Sequence, residues 1–192
     1  MNHPPLDFGA PLMGESPIIK PKIVSTAYDH AKIYQSINEI VSKTNLMSLS
    51  TVRETTPYSC VVVFAFDKNL CLIYFSEKTT DHSQNLLKND RIAGEIADTN
   101  QTWVPPRRGI QFQGTARPAT ADELGTVINL YMARFPGFER SKIDARGGVS
   151  PVKVYPYVVR PTTIKIFDEK IFGKETWAVV KLLDKCALSG KI

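Results

Sequence analysis

The residues best equipped for chemistry fall in one run, LCLIYFSEKTTDHSQNLL, over residues 70–87. Leu70 to Phe75 are apolar, aromatic or cysteine throughout, as a buried strand requires. Ser76, Glu77, Lys78, Thr79 and Thr80 then form a polar turn. Thr80 or Asp81 can cap a helix that starts near His82 and carries Leu86 and Leu87 on one face. A helix start offers free backbone N–H groups and the positive end of a dipole. With a lysine, hydroxyls, His82 and Ser83 around it, such a start can seat a phosphate, here that of a flavin nucleotide. The same residues also fit an ordinary hydroxyl-rich strand-to-helix turn. A second candidate set lies in GIQFQGTAR, residues 109–117, where Gln111 and Gln113 share one face of an alternating strand. Glutamine supplies both the donors and the acceptors that the edge of a flavin ring needs, and a solvent-facing sheet would carry it as well.

Other chemistries find less support. No Ser–His–Asp arrangement is visible, and Cys60 has no base placed for it, so the catalytic residues are unknown. His3 and His30 lack partners at ligand spacing, which predicts no metal. A protein without a general acid/base pair suits a cofactor that itself carries the electrons. Arg107 and Arg108 are adjacent and would point different ways in a strand, so one of them at most would meet an anion. Trp103 could stack on a ring, or serve as core or interface.

The elements that must position these residues can be read in order. Residues 1–25 are proline-rich and aperiodic, an extended arm that stays mobile or packs on a partner. Residues 27–43 repeat apolar side chains at three and four (Ile33, Ile37, Ile40, Val41), an amphipathic helix with Ser25 or Thr26 as cap. LMSLSTV, residues 46–52, alternates as a half-wet strand. Residues 60–66 and 70–75 should pair as a hairpin about Asp67-Lys68-Asn69. Residues 91–97 and 109–117 are further strands, with an irregular stretch at 103–108 containing Pro105-Pro106. Thr120 and Glu123 form a capping box for a helix to Arg134. Residues 139–151 read as loop, and 152–167 as one or two strands with bulges or an edge at Pro156 and Pro161. The stretch 175–183 has no clear type. Short strands with inserted helices, rather than βαβ units, predict a mainly β protein with helices: a small antiparallel barrel with flanking helices.

Composition sets the outer bounds. The chain has 192 residues, 43% hydrophobic and 22% charged, with net charge +5. That length fits one domain able to bury a sizeable core. The pI of about 9.1 favours anionic ligands, but the basic residues are scattered, so no nucleic-acid partner is expected. Cys60 and Cys71 sit in apolar strands and are expected to be reduced core residues. No apolar stretch is long enough to span a bilayer, and the N-terminus lacks a signal-peptide core, so no membrane partner and a cytoplasmic location are expected.

Taken in order, LMSLSTV, IYFSEKTTDHSQNL, RIAGEIAD and RRGIQFQGTARPAT resemble the pyridoxamine 5'-phosphate oxidase-like flavin-binding split barrels. RGIQFQG, ARFPGF and DEKIFGKETW look closest to a bacterial branch of that group. The resemblance covers about residues 28–180 and implies a six- to seven-stranded antiparallel split β-barrel with flanking helices. It divides the chain into an arm (1–25), an FMN-binding domain (26–183) and a tail (184–192). It also implies a homodimer with FMN in a groove between subunits and a small-molecule substrate; deazaflavin and haem are the alternative cofactors. Carried over residue by residue, Ser76, Glu77, Lys78 and Thr79 match the turn that meets the flavin and its phosphate. His82 and Ser83 match the positions that finish the phosphate site. Ser48 and Ser50 lie where relatives face the ring edge or the phosphate. Gln111 and Gln113 match the strand whose polar residues reach the cofactor, within the subunit or across the dimer. Two departures stand out: Gln84 occupies a position where many members have Lys or Arg, and the Arg that some use near Ser48 is absent unless Arg53 reaches in. The C-terminal residues also lack the Arg–His pair of a true pyridoxamine phosphate oxidase. A flavin-dependent oxidoreductase is the implied activity, and a non-catalytic flavin- or haem-binding module, including a stress-related one, the alternative.

Overall fold

The computed structural model describes residues 17–98, 100–104, 106–138, 154–183 and 188. Most of the proline-rich arm (1–16), the loop at 139–153 and most of the tail (184–187 and 189–192) lie outside those residues.

Eight strands make one sheet: β1 (Ile23–Thr26), β2 (Leu46–Arg53), β3 (Thr56–Phe66), β4 (Leu72–Glu77), β5 (Arg91–Ala97), β6 (Arg108–Pro118), β7 (Val154–Asp168) and β8 (Trp177–Leu182). Their order is β1-β8-β7-β4-β3-β2-β5-β6, and β6 pairs back onto β7. Six strands, β2 to β7, therefore close into a ring, while β8 and β1 extend it as a flap. All pairings are antiparallel. The expected mainly β split barrel is thus present, with the unassigned stretch 175–183 supplying β8. Four helices flank it: α1 (His30–Val41), α2 (Asp81–Leu86), α3 (Leu124–Arg134, entered through a 3-10 turn at Ala121–Glu123) and α4 (Glu169–Phe172).

Alternation places the core. On β2, Met47, Leu49 and Thr51 are buried while Ser48 and Ser50 face outward. Ile33, Ile37, Ile40 and Val41 of α1 pack into the same core as Phe64, Leu72, Phe112, Ile164 and Ile166. A smaller cluster joins α3 to the outside of β3 and β4 through Val127, Tyr131, Ala65 and Ile73. Asp29 caps α1, its carboxylate accepting from the Lys32 N–H at 3.1 Å, in place of the expected Ser25 or Thr26. Ser25 and Thr26 belong instead to β1, paired with Lys181 and Val180. The last part of the arm packs on its own chain, where Ile19 is fully buried. Cys71 is buried as expected but is disulfide-bonded, not a reduced thiol; Cys60 is half-buried, and desolvation raises its thiol pKa.

Two features lock the ring. Asp168, with no exposure, accepts from Arg108 Nε and Nη2 at 2.9 and 2.7 Å and from Ser36 Oγ at 2.5 Å, tying α1, β6 and β7 together. Such a buried carboxylate is tolerable because every oxygen is paired. The second is a bulge: the β6–β7 register runs Gln113↔Thr163, then Gly114↔Pro161, leaving Thr162 as the extra residue. The expected bulge at Pro161 is thus present. Here Gly114 lies so close to β7 that a Cβ would meet the Arg160 carbonyl oxygen at 1.9 Å. A Cβ on Gly109 would meet nothing nearer than the Ile96 carbonyl oxygen at 3.5 Å. Gly114→Ala should therefore cost about 1–3 kcal/mol of stability while Gly109→Ala is nearly neutral. Urea unfolding of both variants checks this, and equal midpoints would contradict the register at the bulge.

Candidate functional site

The residues singled out from the sequence separate into two places. The first is the β4–α2 junction. β4 extends through Ser76 and Glu77, so Ser76 belongs to the strand and not to the turn. Ser76, His82 and Ser83 are 7%, 7% and 1% exposed. They satisfy one another: Ser76 Oγ lies 2.7 Å from His82 Nε2, and Thr80 Oγ1 donates to Ser83 Oγ at 2.9 Å. Ser83 also hydrogen-bonds Tyr157, whose ring stacks on Tyr74 with centroids 5.1 Å apart. Thr80 holds the N-cap position by its backbone but makes no side-chain cap bond. This inward network positions the turn and leaves little of these three side chains to meet a ligand. Burial lowers the His82 pKa below its ordinary value, and its Nδ1, like the Tyr74 hydroxyl, is buried without a partner among the described residues.

The outward side of this junction carries Glu77, Lys78 and Thr79, all exposed. Lys78 Nζ sits 3.9 Å from the centre of the Tyr155 ring. Gln84 donates to the Lys78 carbonyl at 2.6 Å and so shapes the turn. Arg53 reaches this junction from β2, where it pairs with Asp81 and donates to Asn85 Oδ1 at 3.5 Å. The cations available to an anion here are thus Lys78, free of any carboxylate pair among the described residues, and Arg53, already neutralised by Asp81.

The second place is a groove of about 400 Å³ on the outer face of the sheet. Ser48, Ser50, Gln111 and Gln113 line it together, with Glu95, Thr163, Lys165 and Val179. Register explains the convergence. Ser48 pairs with Val61 and Glu95, Glu95 with Gln111, Gln111 with Lys165, and Lys165 with Val179, so one straight row crosses six strands. Ser50, Ala93, Gln113 and Thr163 form the next row. Gly94 lets the strands close up beneath: a Cβ there would meet the Ser48 carbonyl oxygen at 2.3 Å and the Phe112 ring at 2.4 Å. The groove has a polar floor with Val179, 51% exposed, in its lining, and Val61 and Val63, the β3 partners of Ser48 and Leu46, are exposed beside it at 65% and 41%. None of the turn residues lines it.

Sequence reasoning missed Glu95, Thr163 and Lys165, because their relevance comes from cross-strand register and leaves no local pattern. Arg107 and Arg108 do point different ways, but both are held by carboxylates: Arg107 by Glu169 and Arg108 by Asp168 and Glu39. No helix among the described residues is long and apolar enough to cross a membrane.

Comparison with known proteins agrees with this architecture. Residues 33–153 match the model of the family described as pyridoxamine 5'-phosphate oxidase. A UPF0306 protein of Klebsiella pneumoniae is 28% identical over 142 residues, 73% of this chain and 88% of that one. Among solved structures, a heme binding protein from Mycobacterium smegmatis superposes with TM-score 0.58 at 16% identity, over 74% of this chain and 55% of that one. The heme storage protein HutZ from Vibrio cholerae superposes with TM-score 0.52 at 18% identity, over 66% of this chain and 88% of that one. The match thus spans about half the length of the Mycobacterium chain.

The His82 environment has a consequence for pH. Its folded pKa is depressed by burial, so the neutral ring's contribution to stability is present above its ordinary value of 6.5 and is lost as pH falls through that value. Stability measured by urea unfolding between about pH 7.5 and pH 5 should fall more in the wild type than in His82→Gln. Equal slopes would contradict a buried, neutral His82.

Proposed function

The chain belongs to the pyridoxamine 5'-phosphate oxidase family, and from that premise we propose that it binds FMN in the outer-face groove and acts as an oxidoreductase on a small molecule. The observation that carries this reading is the convergence of Ser48, Ser50, Gln111 and Gln113 on one groove from two separate strands. The donor set fits a flavin ring. Two amides and two hydroxyls can meet its carbonyls and ring nitrogens, and the exposed valines can cover its faces. The phosphate end fits through Lys78 and Thr79, with Arg53 available if the anion displaces Asp81. Because the turn residues do not line the groove of their own chain, the site is completed by a second copy whose turn faces it. The exposed valines flanking the groove supply the apolar surface such a homodimer would bury.

FMN, when bound, supplies the hydride or electron transfer, and the protein's share is binding, orientation and exclusion of water. Gln111 and Gln113 hold and orient the ring edge, while the serines of β2 fix its other side. Lys78 neutralises phosphate charge. Deazaflavin would use the same groove contacts. Haem is the second reading, favoured by the two haem-associated structural neighbours. Against it, the described residues lining the groove include no His, Cys, Met or Tyr to serve as an axial ligand.

An absorbance spectrum after FMN addition and desalting tests the reading. Flavin bands in near-stoichiometric amount are expected; a colourless protein would refute it, and a Soret band from purified protein would favour haem. Lys78→Ala should weaken FMN binding by about 1–3 kcal/mol, measured by fluorescence titration. Val61→Glu places a charge on an already exposed position, so it should leave the protomer folded yet shift light scattering from dimer to monomer. A monomeric wild type that binds FMN would contradict the shared groove.

A further inference from the structure

Beside the flavin groove lies a second one, of about 440 Å³, lined by Gln101, Thr102, Arg107, Gly109, Phe167 and Trp177 among others. The two grooves share Glu95 and Gln111. Arg107, Phe167 and Trp177 of its lining belong to a ladder of cations and rings that runs on to Lys165, a lining residue of the first groove, at one end and to Trp103 at the other. Lys165 Nζ stands 4.0 Å from the Trp177 ring centre. Trp177 packs on Phe167 with centroids 4.5 Å apart. Arg107 lies over Phe167 at 5.7 Å and over Trp103 at 5.8 Å. These side chains are not core: Trp177 is 36% and Trp103 88% exposed.

The ladder is built and held. Glu169, its side chain only 3% exposed, accepts from Arg107 Nε and Nη2 at 3.3 and 3.1 Å, and from the Arg107 backbone N–H at 2.8 Å. The Arg107 hydrogen bonds keep the Glu169 carboxyl ionised, its pKa lowered to about 2. Gln101 anchors the preceding loop by donating to the Arg108 carbonyl at 2.7 Å. At Gly109 the groove floor carries no side chain, although a Cβ there would meet only ordinary contacts. Packing does not demand glycine at that position, yet a larger residue would occupy the groove.

We infer that this second groove is a binding subsite for a small planar aromatic molecule bearing a carboxylate or phenolate. The ring stacks on Trp177 and Phe167, and the anionic group lies toward the Lys165 end, where a cation stands over the aromatic face. The single carboxylate lining the groove, Glu95, stands across Gln111 from Lys165 in the strand register, away from that end. Because the grooves share a wall, a molecule held here lies against whatever fills the first. Its identity as the substrate therefore rests on the flavin reading, whereas its binding does not.

The chain has two tryptophans, Trp103 and Trp177, and both belong to this ladder. Their indole N–H resonances in the full-length protein report the site directly. Titration with 2-naphthoate should move the Trp177 resonance saturably, and about tenfold more tightly than uncharged 2-naphthalenemethanol does. Gly109→Leu should abolish the shift for both probes while thermal melting stays cooperative. Lys165→Gln, at an exposed position, should erase the preference for naphthoate and leave binding of the alcohol. No saturable shift, the same shift in Gly109→Leu, or equal affinity for the two probes would overturn the inference. Naphthoate binding by protein that takes up no FMN would sustain the inference and defeat the flavin reading; FMN uptake without naphthoate binding would do the reverse.

Discussion

Everything in this fold depends on the pairing of one long strand. β7 runs from Val154 to Asp168 and is bonded along both edges. On one edge it follows β6 from Tyr157 to Asp168. On the other it pairs with β4 over Val154–Val159, then with β8 over Thr163–Phe167. The change of partner falls at Arg160, Pro161 and Thr162, where the bulge sits. Proline can stand there because it withholds no ladder hydrogen bond that the bulge would need. β7 thus closes the ring with its first half and carries the flap with its second. The flap in turn brings Val179, Lys181 and Trp177 alongside the outer face on which both grooves lie. A shift of one residue at the bulge would turn Lys165 and Phe167 inward and bring core isoleucines to the grooves.

The two halves of the candidate cofactor site differ in how they are built. The groove takes its polar floor from alternation alone, since every second residue of β2, β5, β6 and β7 must face outward. The turn at β4–α2 spends most of its polar side chains on itself. Ser76, His82, Thr80 and Ser83 are linked to one another, and Tyr157 closes the network from β7. What remains outward is Lys78 and Thr79, beside the carboxylates of Glu77 and Asp81. The groove is therefore the half better provided with outward polar side chains, and the turn offers few free charges.

Much of the fold was legible because it follows from periodicity. The alternation of residues 46–52, 91–97 and 109–117, the hairpin at Asp67-Lys68-Asn69 and the Thr120/Glu123 capping box all write their geometry locally; the Glu123 carboxylate does accept from the Thr120 N–H at 2.9 Å. The Asp29 cap was hidden because Ser25 and Thr26, a few positions earlier, can cap as well by residue type, and only the β1–β8 pairing shows that they belong to a strand. The inward turn of His82 and Ser83 was hidden because partners such as Tyr74 and Tyr157 come from β4 and β7, and polar residues that serve each other look in sequence like polar residues awaiting a ligand. Ser48 with Gln111 could be paired only through the family resemblance; their meeting depends on β5 lying between them. Lys165 and Trp177 had no signal in the sequence, since the two grooves they line are assembled across the β6–β7 closure of the ring.

The central claim is that the amide-lined groove holds the flavin ring. Titration of FMN into the wild type and into a Gln111→Leu/Gln113→Leu variant, followed by flavin fluorescence, tests it most directly. Both glutamines face outward, so the double substitution should leave unfolding unchanged. The account predicts saturable FMN binding in the wild type and a loss of at least about tenfold in the variant, as expected when ring-edge hydrogen bonds are removed. Equal affinity in the two proteins would place the flavin elsewhere and contradict the account.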